Sequence, residues 1–178
     1  MLLQRSALRA AALAVALGAN APAAPAQDVY AVRGPWLDEA ARGYSLDTLR
    51  GRYTVVTMAY GACQRICSAS LRAVQQIATL AQQRNIELQL LVVGLDPLED
   101  KPADWARLHQ EADWRYANLT FLTGDPAAVR RFAQRIGEKY WRYGEHTMHD
   151  FRIVLVAPDG RVARAMDRYD DDLRALLP

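Results

Sequence analysis

The chain has 178 residues, 51% of them hydrophobic and 24% charged, with 22 Lys and Arg against 20 Asp and Glu and only two cysteines. That length suits one domain with a sizeable core, and the composition excludes a disordered segment. Two cysteines exclude a disulfide-stapled miniprotein, and a formal charge of +2 gives no sign of the basic patch that a nucleic-acid or membrane-surface binder needs.

Residues 1–26 read as a secretory signal peptide: Arg5 and Arg9 give a positive start, residues 10–19 a short apolar run, and Ala24-Pro25-Ala26 a small-x-small cleavage pattern. The run is about half the ~20 residues a membrane span requires, so no stable span is expected after cleavage. Removing the leader takes away two arginines and no acid, which leaves a mature chain with equal numbers of basic and acidic residues. Residues 27–178 form the expected mature domain. Its expected location is the periplasm, where oxidising conditions permit disulfides.

Residues 28–45 carry few periodic apolar positions and read as a loop with a short hairpin, followed by one helical turn over 45–49. Residues 53–60 (YTVVTMAY) are rich in β-branched and aromatic residues and carry no charge, as in a central strand buried on both faces. A helix is expected from Cys63 to about Arg84, with Leu71, Val74, Ile77 and Ala81 at helical spacing and Ser68 or Ser70 able to bond its first free N–H groups. Residues 86–95 form a second buried strand. Pro102 opens a helix through Trp105 and Leu108, residues 119–122 a short strand, and Asp125-Pro126 a further helix stopped by Gly137. Residues 151–156 and 162–166 are strands joined by Pro158-Asp159-Gly160, and residues 170–177 a last helix. The order β-α-β-α-β-α-β-β-α predicts an α/β fold, a mixed sheet flanked by helices.

Cys63 and Cys67 fall where the first strong strand hands over to the first long helix, which is where open α/β sheets place their sites. A helix N-terminus stabilises a thiolate. On one helix, residues i and i+4 point the same way at about 6 Å, within disulfide range and able to converge on one soft ion such as Cu(I) or zinc. A plain structural disulfide and two independent thiols are the alternatives. Of the histidines, His109 reads as a surface residue. His146 and His149 lie together in a polar segment expected to be a loop ahead of the strand at 151–156, and imidazole also suits copper. Trp105, Trp114, Trp141, Tyr140 and Tyr143 are candidates for either the core or the rim of a site.

Taken together, these pieces resemble the SCO (SenC) family of copper-binding, thioredoxin-like assembly proteins over residues 34–177. The carriers are Tyr44-Ser45-Leu46 with Leu49-Arg50-Gly51-Arg52, the strand ending in Tyr60-Gly61, and Cys63-Gln64-Arg65-Ile66-Cys67. They continue with residues 96–102 (DPLEDKP), Leu122-Thr123-Gly124, and His149 ahead of Pro158-Asp159-Gly160. The resemblance implies a thioredoxin-like fold and one copper bound by two cysteines and a histidine, here Cys63, Cys67 and His149. It also implies a role in assembling the Cu-A centre of cytochrome c oxidase. Ser68 stands where the family usually has proline after the second cysteine, and Met148 where it usually has aspartate before the histidine. His146, preceded by Glu145, imitates that acid–histidine pair and is the substitute or supporting ligand.

Three functions follow as expectations. The first is a periplasmic copper chaperone whose partner is a cytochrome c oxidase subunit or another periplasmic copper or thiol protein, with no nucleic acid. The second is a thiol–disulfide oxidoreductase in which Cys63 attacks and Cys67 resolves. The third is a sensor or interaction module.

Overall fold

The computed structural model describes residues 28–61, 67–111 and 116–178. The expected leader, Cys63 and Trp114 therefore lie outside the described residues, and Cys67 is placed by its backbone alone. In chain order the strands are β1 (Leu37–Asp38), β2 (Thr54–Ala59), β3 (Gln89–Gly94), β4 (Leu119–Thr123), β5 (Tyr140–Tyr143), β6 (His146–His149), β7 (Ile153–Val156) and β8 (Val162–Met166). The helices are α1 (Cys67–Gln83), α2 (Pro102–Glu111) and α3 (Pro126–Ile136).

Six strands form one mixed sheet in the order β1-β4-β3-β2-β7-β8. β2, β3 and β4 run parallel, and β1, β7 and β8 pair antiparallel with their neighbours. This is the α/β thioredoxin-like arrangement expected. The uncharged strands sit at its centre: every residue of β2 and β7 is buried, Thr54 and Thr57 included, and each large aliphatic side chain so removed from water contributes roughly 1.5–3 kcal/mol. The parallel pairs require crossover connections, which α1 and α2 provide; α1 packs on β2 and α2 on β4. α3 has the boundaries its sequence announces. Asp125 accepts the Ala128 N–H at 2.6 Å, Pro126 stands in the first turn, and Gly137 closes the helix at φ 76°, a left-handed conformation that glycine adopts without a Cβ penalty.

The fold departs from expectation in four places. The segment holding His146 and His149 is a strand, not a loop: β5 and β6 form a separate antiparallel hairpin. The last helix shortens to a 3-10 turn, Leu173–Leu176, whose cap Asp172 accepts the Arg174 N–H. Aspartates that bond nearby backbone in this way compete with a regular helix. Ser70, one of the two expected capping serines, is fully buried and its Oγ has no hydrogen-bond partner, so it does not cap α1, while the Ser68 side chain lies outside the described residues. His109 is half-buried rather than a plain surface residue, with its ring 5.6 Å from that of Phe121 and Nδ1 3.3 Å from Glu39 Oε1. Of the candidate aromatics, Trp105 is core, whereas Trp141 and Tyr143 are exposed.

Candidate metal centre at the end of the central strands

The first two parallel strands deliver the chain to one end of the sheet. β2 runs through Tyr60 into Gly61, immediately ahead of the segment containing Cys63, and α1 begins at Cys67. β3 ends at Gly94 and leads to Leu95 and Asp96. Asp100 ties the two exits together: its Oδ1 accepts the Gly61 N–H at 2.7 Å and its Oδ2 accepts the Asp96 N–H at 2.8 Å. The carboxyl sits in a slot that only glycine leaves open. A Cβ on Gly61 would lie 2.9 Å from Asp100 Oδ1, and one on Gly94 would lie 3.0 Å from Asp100 Cβ. Burial pushes the Asp100 carboxyl up to about 7, against the two backbone N–H bonds that favour its charge, while the neighbouring Asp96 and Asp104 raise it further.

Asp96 then pins the hairpin. Its Oδ2 accepts from Arg142 Nη1 at 2.6 Å and from the Thr147 hydroxyl at 3.0 Å. Because successive side chains of a strand alternate between faces, Thr147 and His149 share the inner face of β6, and His146 and Met148 share the outer one. Burial agrees: Thr147 and His149 are buried and His146 is exposed. The two candidate histidines therefore occupy opposite faces of one strand.

The His149 side chain is 2% exposed. Its Nδ1 lies 2.7 Å from the Asp150 carbonyl oxygen; a carbonyl only accepts, so Nδ1 carries the proton and the lone pair of the neutral ring is on Nε2. The fully buried Glu138 carboxylate lies 3.6 Å from the same Nδ1, outside hydrogen-bond range but close enough for electrostatic attraction. Burial raises the Glu138 pKa, and the adjacent His149 opposes that rise. An imidazole held at Nδ1 by a carbonyl and backed by a carboxylate is the arrangement that orients a metal-ligating Nε2.

Sequence reasoning missed Asp96, Asp100, Glu138, Arg142 and Thr147. The segment of residues 96–102 stood out as a motif, but its role as the clasp between strand ends and hairpin did not. Among the described residues no three His, Cys, Asp or Glu side chains come together as a metal site. Among those residues, too, no helix is long and apolar enough to cross a membrane.

The SCO1/SenC family model matches residues 29–176. A Stutzerimonas stutzeri protein described as copper-binding is 25% identical over 130 residues, covering 70% of this chain and 62% of its own length; the chain thus spans less than two thirds of that relative. In structure the chain is similar to BsSco, a member of the Sco family of cytochrome c oxidase assembly proteins in which a disulfide switch was identified. The TM-score is 0.68 at 21% identity, with 86% of this chain and 94% of that one covered. It is also similar to Arabidopsis thaliana ScoI with copper bound, with a TM-score of 0.64 at 18% identity and coverage of 82% and 93%.

Proposed function

The chain belongs to the SCO1/SenC family, and on that premise we propose that it is an exported, periplasmic protein that binds one copper ion through Cys63, Cys67 and Nε2 of His149 and serves assembly of a copper centre. The observation that carries this reading is His149 itself. It is a buried imidazole with its tautomer set by Asp150. It sits on the inner face of a hairpin clasped to the end of β3, at the end of the sheet where β2 runs on toward the cysteines. Two thiolates and one imidazole form a soft donor set that selects copper. The ligands must be deprotonated, so binding releases protons and weakens in acid. A three-ligand site leaves one side open, and a partner's ligands can enter there to take the ion. The proposed partner is a cytochrome c oxidase subunit or another periplasmic copper or thiol protein, in keeping with the role named for BsSco.

The test is copper titration of the reduced full chain beside two variants. His149→Ala is expected to weaken the first equivalent by more than ~10-fold, the cost of disturbing even an outer-shell partner. His146→Ala, on the opposite face, is expected to leave that equivalent unchanged. Equal losses in both variants, or loss in His146→Ala alone, contradict the assignment. Turnover on a disulfide substrate without any copper binding favours the oxidoreductase alternative instead.

A further inference from the structure

We propose that the outer face of the β5–β6 hairpin carries a second, weaker site for a soft monovalent cation, Cu(I), held by the His146 imidazole and the Met148 thioether beside the Trp141 ring. The proposal extends the copper reading above to residues which that reading leaves unused. The register pairs Trp141 with Met148 and Tyr143 with His146. Strand alternation therefore sets Trp141, Tyr143, His146 and Met148 on one face, opposite Arg142, Thr147 and His149.

This face does not cover the core. His146 is exposed, Trp141 and Tyr143 are 48% and 75% exposed, and Met148 is half-buried. A tryptophan and a tyrosine exposed beside a half-buried thioether on a two-stranded ribbon gain little from the hydrophobic effect where they stand, yet the chemistry of this face suits one kind of ion. His146 and Met148 are two residues apart on one face, so their side chains leave the strand side by side. A thioether is a soft ligand that discriminates against hard cations, and imidazole accepts the same copper ion. Trp141, directly across from Met148, offers the electron-rich face of an indole to a cation held there. Two ligands without thiolate charge bind more weakly than the cysteine–histidine set, so this site fills after the first equivalent.

The test uses the full chain with both cysteines replaced, Cys63→Ser/Cys67→Ser, titrated anaerobically with Cu(I) and separately with Ag(I), a soft monovalent ion that does not change oxidation state. Tryptophan emission and the Met148 methyl resonance report binding. The double variant is expected to take up one ion, with the methyl resonance shifting. Met148→Leu and His146→Asn added to it should each weaken uptake by roughly tenfold or more. Trp141→Phe should retain binding with much less quenching. In the wild-type chain the methyl resonance should move only between the first and second equivalents. No uptake by the double variant, or uptake unchanged by Met148→Leu and His146→Asn, overturns this site. If the wild-type chain still binds its first copper, the cysteine–histidine reading stands; if neither chain binds, both fall.

Discussion

Cys63→Ala and Cys67→Ala are each expected to abolish stoichiometric copper binding at the first site. The proposed set has three ligands, and the two thiolates supply its negative charge and most of its softness. Disturbing a partner that only orients a ligand costs roughly 10–100-fold in metal affinity. Losing a ligand outright from a three-coordinate site costs more, and the remaining sulfur and nitrogen cannot close around the ion. Cys67 opens α1, and a helix N-terminus favours the charged form of sulfur. Moving the second sulfur one residue along, in a Cys67→Ser/Ser68→Cys chain, should therefore fail to restore the site. Equilibrium competition against a Cu(I) chelator measures both effects, and full affinity in either alanine variant contradicts the proposal.

The second large effect concerns stability. Asp100→Ala removes the acceptor of the Gly61 and Asp96 N–H groups and leaves a void among Gly61, Gly94 and Trp105. Unsatisfied donors and an unfilled core slot together cost about 2–4 kcal/mol. The loss reaches the site as well, because Gly61 leads to Cys63 and Asp96 holds the hairpin that carries His149. Asp100→Asn is the finer probe. It keeps the shape and one acceptor but does not titrate, so its constant cost separates from the pH-dependent part. The folded carboxyl has its pKa raised from 3.8 to about 7. Its contribution is therefore full below about pH 4, falls as pH rises toward about 7, and is level beyond that. Urea unfolding across this range should show the wild-type advantage over Asp100→Asn shrinking with pH, by at most about 1.4 kcal/mol per pH unit. A difference that is flat from pH 4 to 7, or that grows, contradicts a buried neutral carboxyl at this position.

How far these features could be read from the sequence depended on what holds each one in place. The central strands were legible because residues 53–60 and 86–95 are short, mostly apolar runs rich in β-branched side chains, the pattern of a doubly covered strand, and the structure buries β2 completely. The limits of α3 were legible because Asp125, Pro126 and Gly137 act through local backbone chemistry. The β5–β6 hairpin was not, because it is fixed by polar contacts from Arg142 and Thr147 to Asp96, 46 and 51 residues away in the chain. Its outer face carries Trp141, Tyr143 and Met148 against Tyr140 on its inner face, so the usual pattern of apolar residues turned inward does not mark it. One signal was present: His146-Thr147-Met148-His149 assigns Thr147 and His149 to one face as soon as the segment is read as a strand. The acidic run at residues 170–172 looks like a helix start, yet only the short turn Leu173–Leu176 forms after it. In the structure those side chains are engaged locally, Asp170 with Arg168 and Asp172 with Arg174.

The same distinction explains the site. Asp96 and Asp100 lie in a segment visible as a motif, but a motif does not say which atoms its carboxylates receive. Glu138 follows the glycine that ends α3 and reads as a solvated residue of a turn. Its place behind His149 depends on how the hairpin folds back, which no local pattern encodes. The family resemblance supplied the ligand set, while the geometry around His149 supplies the physical support for choosing it over His146.

X-ray absorption at the copper edge, on the reduced chain loaded with a single equivalent, reads out whether two cysteine sulfurs and the His149 nitrogen hold one copper ion. The expected shell has two sulfur neighbours and one imidazole nitrogen, with the nitrogen signal lost in His149→Ala and kept in His146→Ala. A first shell of nitrogen and oxygen alone, or one that His149→Ala leaves unchanged, would contradict it.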